Sequence, residues 1–142
     1  MADSSGEREE AGVERERSLL SRLSSRMAGI QKAAFGKGPI STKSYMFDDM
    51  LLIVMREGLT QAERTMLDFG RQDLVREFRQ QLENEMTRRI VDMIEELTER
   101  TVLTYQSQVM FDPDVVVEMF VFDDTLGAHF TAAEAHGYAD EK

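Results

Sequence analysis

The chain contains no cysteine. Disulfides, thiolate nucleophiles and cysteine-ligated zinc are thereby excluded, because each needs a thiol. Histidine is nearly absent as well. The only two, His129 and His136, lie near the C-terminal end, and acid–base catalysis needs a side chain held in fixed geometry. No run of about 18 apolar residues occurs, so no segment reads as a membrane-spanning helix. The opening residues, MADSSGEREEAGVERER, lack the apolar stretch of a secretion signal. That leads to the expectation of a cytoplasmic protein, reaching the inner face of a membrane only through a protein partner. Positive charge is also in short supply: 17 Lys and Arg stand against 27 Asp and Glu, a formal net charge of −10. Nucleic-acid binding needs a cationic surplus to displace phosphate counterions, and docking on anionic lipid needs one too. The expected partners therefore include neither nucleic acid nor a directly inserted membrane.

What is present suits one globular domain. With 142 residues, 42% hydrophobic and 31% charged, the chain is long enough to bury a sizeable core. Residues 1–12 are rich in Ser, Gly and Glu and read as a disordered segment. Residues 13–123 carry the periodic patterns of a single domain, and 124–142 lose periodicity and read as a flexible tail.

Val13, Leu20, Leu23, Met27, Ile30 and Ala34 recur at spacings of three, four or seven, a narrow apolar seam on a helix. Two partners suit that seam: the domain's own sheet, or a second copy of the helix. Gly36 stops the helix and Pro39 prevents its restart. Ser41–Phe47 alternates and Met50–Met55 is an apolar run, with Asp48-Asp49 between them. This predicts a tight hairpin of open turn type. The run MLLIVM is apolar on both strand faces, as for a central strand covered on both sides.

Gly58 ends that strand, and Thr60 followed by Glu63 forms a capping box for the next helix. Gly70 closes it. A longer helix follows, with Val75, Phe78, Leu82, Met86, Ile90, Met93 and Leu97 as its apolar stripe. Pairs such as Arg79–Glu83, Glu85–Arg89 and Glu96–Arg100 read as its solvated face. Thr101–Phe111 and Val115–Phe122 form a second hairpin, with Pro113 suited to the second position of its turn. Val115, Val117, Met119 and Val121 share one face of the last strand. The predicted fold is α+β: helix, hairpin, two helices, hairpin, as a four-stranded antiparallel sheet with helices on one face. Tyr45, Phe47, Tyr105, Phe120 and Phe122 are candidates for the other face, an apolar patch too large for a monomer to leave wet.

No catalytic or metal site emerges. Gly36, Lys37 and Gly38, ahead of Pro39, form a short glycine-rich loop that offers backbone N–H groups and one ammonium to a small anion. The spacing is too short for a P-loop, and a strand rather than a helix follows. A structural turn explains the loop more simply. The acidic pairs Asp48-Asp49, Asp112/Asp114 and Asp123-Asp124 lack the spacing of a calcium loop and read as turn residues. Met27, Met46, Met50, Met55, Met66, Met86, Met93 and Met119 fall on apolar faces and read as core filling. No nucleophile–base pair is signalled, so no enzyme and no cofactor are expected.

Taken together, FGKGP, the Asp48-Asp49 hairpin, EGLTQAER, GRQDLVREFRQ and DPDVVVEMFVFD resemble the MpsC-like family over roughly Ser18 to Asp123. The resemblance implies a non-enzymatic accessory or regulatory protein of a two-part, cation-coupled membrane system for inorganic-carbon uptake and membrane-potential generation. It implies a membrane transporter subunit as partner, and it transfers no catalytic residue. The Val13–Ala34 helix, the long third helix or an exposed sheet face adds the expectation of a homodimer. The alternative is a small-anion or nucleotide sensor binding near Lys37.

Overall fold

The computed structural model describes residues 4–123, so the predicted tail at 124–142, with His129 and His136, lies outside the described residues. The elements run α1 (Ser4–Phe35), β1 (Ser41–Phe47), β2 (Met50–Arg56), α2 (Gln61–Asp68), α3 (Gln72–Thr98), β3 (Val102–Phe111) and β4 (Asp114–Phe122). The four strands form one antiparallel sheet in the order β1-β2-β4-β3. The α+β fold of the sequence reading is thus the observed one.

Helix α1 begins at Ser4, inside the segment 1–12 that read as disordered. Its first turns carry no core residue: Val13 is exposed, and burial starts at Leu23. Ser, Glu and Arg there are joined by local bonds, such as Arg8 Nε donating to the Ser4 carbonyl at 3.1 Å. Such residues keep a helix going without a core. From Leu19 onward the seam packs into the domain's own core, where Leu23 and Met27 are fully buried with Leu51, Ile53, Ile90 and Phe120. Gly36 takes φ of 79° and donates its N–H to Lys32 O at 2.8 Å. This left-handed helix end suits glycine.

Both hairpins close through two residues: Phe47 pairs with Met50 around Asp48-Asp49, and Phe111 with Asp114 around Asp112-Pro113. Pro113 occupies the turn's third position, not the second as expected, and follows a cis peptide bond. Sheet alternation then sorts the aromatics. Tyr45 and Phe47 are exposed on the outer face, as expected. Tyr105, Phe120 and Phe122 instead face the helices, with Phe120 and Phe122 buried. Strand β4 is apolar on both faces, so its pattern alone names no inward side.

The core face of α3 differs from the predicted stripe. Val75, Met86, Ile90 and Met93 are buried as expected, but Phe78 is 53% exposed. Arg79 and Glu83, assigned to the solvated face, are each only 2% exposed. The reason lies in α2, which brings a matching carboxylate to this end of α3.

Candidate functional site

Two buried polar assemblies sit between the helices and the sheet. The first is built on the start of α2. Thr60 caps the helix, its hydroxyl accepting from the Glu63 N–H at 3.1 Å, while Glu63 Oε1 accepts from the Thr60 N–H at 2.9 Å. The capping box predicted from spacing is therefore present. Because the Glu63 side chain folds back, it also meets Arg79 of α3. Arg79 Nε and Nη2 donate to the two Glu63 oxygens, each at 2.6 Å. The same Nη2 donates to Gly58 O at 3.1 Å, and the guanidinium lies 4.0 Å over the Phe35 ring. Burial alone would raise the Glu63 pKa, but the Arg79 hydrogen bonds, the Thr60 amide and the Arg79 charge outweigh it and hold the carboxyl below its usual value. This ion pair ties β2's end, α1's end, α2 and α3 together.

One turn further along α3, Glu83 faces Glu118 of β4, which is 0% exposed. Tyr105 Oη donates to Glu83 Oε2 at 3.0 Å, and Ser107 Oγ donates to Glu118 Oε1 at 3.1 Å. Among the described residues, the remaining oxygens, Glu83 Oε1 and Glu118 Oε2, find no donor. A proton shared between the two carboxyls relieves that shortage. Burial raises the Glu118 pKa well above the carboxylate value, and the Glu83 charge raises it further. Burial raises that of Glu83 as well, against the Tyr105 hydrogen bond, the nearby Gln31 amide and Glu118 carboxyl, and the Arg79 charge. The Tyr105 phenol is pushed far up by burial and by both neighbouring carboxylates, so it stays a donor. Glu118 escaped sequence reasoning because its strand is apolar on both faces, so the two looked interchangeable. Its one signal was a lone acid at an alternating position inside VVVEMFVF.

The anion candidates lie elsewhere. Lys37 Nζ donates to Leu59 O at 3.1 Å, which fastens the helix-to-strand turn to the loop before α2. Gly36 forms the α1 end, and a Cβ at Gly38 would lie 3.4 Å from Lys32 Cβ. Of the acidic turn residues, Asp114 Oδ2 accepts from the Leu59 N–H at 3.2 Å and pairs with Arg64 at 3.5 Å. No cluster of three or more metal-ligating side chains occurs among the described residues. Asp48, Asp112 and Asp123 are not drawn into one.

Two apolar surfaces remain. Between the end of α1, α2 and α3 lies a groove of about 400 Å³, lined in part by Phe35, Met66, Leu74 and Phe78. Leu74 and Phe78 are about half exposed on its rim. The second surface is the outer sheet face, which carries Tyr45, Leu52, Val54, Val117 and Met119. No described helix is long and apolar enough to cross a membrane.

No curated protein and no solved structure matches the chain. The family model described as Na+-translocating membrane potential-generating system (MpsC) matches residues 15–124. That span takes in the α1 core segment, both hairpins, the Glu63–Arg79 pair and the Glu83–Glu118 pair, and the chain belongs to the MpsC family.

Proposed function

We propose that this chain is a non-enzymatic accessory or regulatory module of a membrane-potential-generating system, linked to cation-coupled inorganic-carbon uptake. It acts at the cytoplasmic side by docking on a membrane-embedded subunit. The observation that carries this reading is the apolar groove between α1, α2 and α3, whose rim residues Leu74 and Phe78 lie exposed on a strongly acidic chain. Glu63 lines the groove and is fixed in place by its pair with Arg79, which supports a groove of set shape. A short apolar helix end or loop of the membrane subunit fits a slot of this size, anchored by side chains at helical spacing. The Glu63–Arg79 pair is engaged with protein groups, and the Glu83–Glu118 pair is buried and does not line the groove, which supports a docking role for the groove.

A photo-activatable residue in place of Leu74, introduced in cells that make the whole system, tests this. Cross-linking to the ion-translocating subunit, identified by mass spectrometry and lost in Phe78→Ser, is the expected result. Failure to cross-link any membrane-embedded protein refutes the docking.

A further inference from the structure

The outer sheet face has a composition unlike the rest of the chain. The two central strands present an unbroken apolar strip there, with Leu52 beside Met119 and Val54 beside Val117. Tyr45 extends the Leu52–Met119 row to one edge, and Gln106 completes it at the other. Not one of the 27 acidic residues lies at an outward position of the four strands; the only charges there are Lys43 and Arg56. Glu118 and Asp114 fall on the inward alternation. A protein with net charge −10 repels its own copies over most of its surface. This face is where two copies can meet without bringing carboxylates together.

We propose that the outer sheet face is an interface between two copies of this chain, packed sheet on sheet. The proposal deepens the interaction-module reading and uses a different surface from the groove. Two cations are too few to hold an anionic membrane surface through a face this apolar, whereas a flat strand array is complemented by a second one about 10 Å away. Strands of 7 residues across four columns give a footprint of about 450 Å² per copy at strand spacings of roughly 3.4 and 4.8 Å. Two such footprints, before side-chain relief is counted, approach the lower bound of about 1,000 Å² for a specific interface. An interface of this size belongs to the weak, reversible class.

The position of Lys43 on the edge strand picks out one orientation. A twofold axis parallel to the strands, over the β2–β4 seam, lays β1 of one copy over β3 of the other. Lys43 then faces the neutral Gln108 of the second copy, and the two Lys43 side chains stay a sheet's width apart. Leu52 meets Met119 of the second copy, and Tyr45 meets its Gln106.

Sedimentation equilibrium of the full chain across the micromolar range tests the proposal. The expected result is a shift toward twice the 16.3 kDa protomer mass. Leu52→Glu and Val117→Glu, made separately, should each weaken association at least tenfold while leaving far-UV circular dichroism unchanged. Because the chain has no cysteine, the double variant Tyr45→Cys/Gln106→Cys reads the orientation directly. These positions sit on opposite sheet edges, and facing sheets about 10 Å apart lie beyond direct disulfide reach, so a short bis-maleimide linker, able to cross the gap between sheets but not the width of one sheet, should give a covalent dimer that neither single variant gives. A strictly monomeric wild type, a dimer indifferent to both glutamates, or a monomer that instead sediments with anionic phospholipid vesicles overturns it. Loss of the dimer in Leu52→Glu with the Leu74 cross-link intact leaves the groove reading standing. Loss of that cross-link with the dimer intact removes the groove reading alone.

Discussion

Replacing Glu118 by Gln should change how stability depends on pH more than it changes stability itself. In the wild type, Glu118 and Glu83 both titrate above the ordinary carboxylate value of 4.5, because burial favours the protonated form of each and the Glu83 charge adds to it at Glu118. A carboxyl with a raised folded-state pKa binds its proton more tightly when folded. Its contribution is fully present below the unfolded value and is lost as pH rises toward the folded one. The slope is at most about 1.4 kcal/mol per pH unit for each proton released on unfolding. Wild-type stability should therefore fall from about pH 5 upward. Glu63 works in the opposite direction and in a separate window. Its pKa is held down, so its contribution is present above 4.5 and is lost as pH falls further. Stability should peak under mildly acidic conditions. Gln at 118 keeps an acceptor for Ser107 and offers Glu83 a permanent donor, and it removes one titrating group. Urea unfolding at fixed protein concentration, followed by circular dichroism at pH 5, 7 and 9, measures the difference. The variant should match the wild type within about 1 kcal/mol at pH 5 and gain on it steadily toward pH 9. Parallel profiles, or a wild type that grows more stable from pH 5 to 9, would refute the account of a shared buried proton.

Three further outcomes follow from the geometry. Arg79→Met leaves Glu63 buried without its cation and should cost about 3–5 kcal/mol, whereas Arg79→Met with Glu63→Leu should recover most of it; urea midpoints decide. Thr60→Ala removes the hydroxyl from the capping box and should cost about 1 kcal/mol, seen as a lower thermal midpoint with unchanged secondary structure. Lys37→Met breaks a single bond to a half-buried carbonyl and should cost roughly 1 kcal/mol. Phosphate or a nucleotide should not shift the melting temperature of either protein, and a shift confined to the wild type would restore the anion-sensor reading.

The features legible in the sequence are those decided locally. The Thr60–Glu63 box, the Gly36 and Gly70 helix ends and the Asp48-Asp49 hairpin depend on residues within a few positions of one another, whereas the place of Pro113 in the second turn was misjudged. The inner and outer faces of the sheet were harder, because β2 and β4 are apolar on both. Only the position of the helices decides that Phe120 goes in and Met119 out. The buried acids were missed for a different reason. Arg79 and Glu83 have the four-residue spacing of a surface ion pair, yet each is recruited by a residue distant in sequence, Glu63 for one and Glu118 with Tyr105 for the other. A lone acid among valines was the one local hint.

The strand order also governs what happens while the chain is being made. Strand β2 finds its second neighbour only in β4, so that Arg56 pairs with Val115 about 60 residues later. Until β4 leaves the ribosome, MLLIVM is an edge strand with a naked ladder of hydrogen-bonding groups, and Leu51, Ile53 and Met55 have no Val116 or Phe120 to complete their layer. Nascent chains halted inside α3 are thus the species most exposed to strand-to-strand aggregation and most in need of a holding chaperone. Of the strand pairings, the joining of the two hairpins closes the longest loop and so carries the largest loop-closure cost.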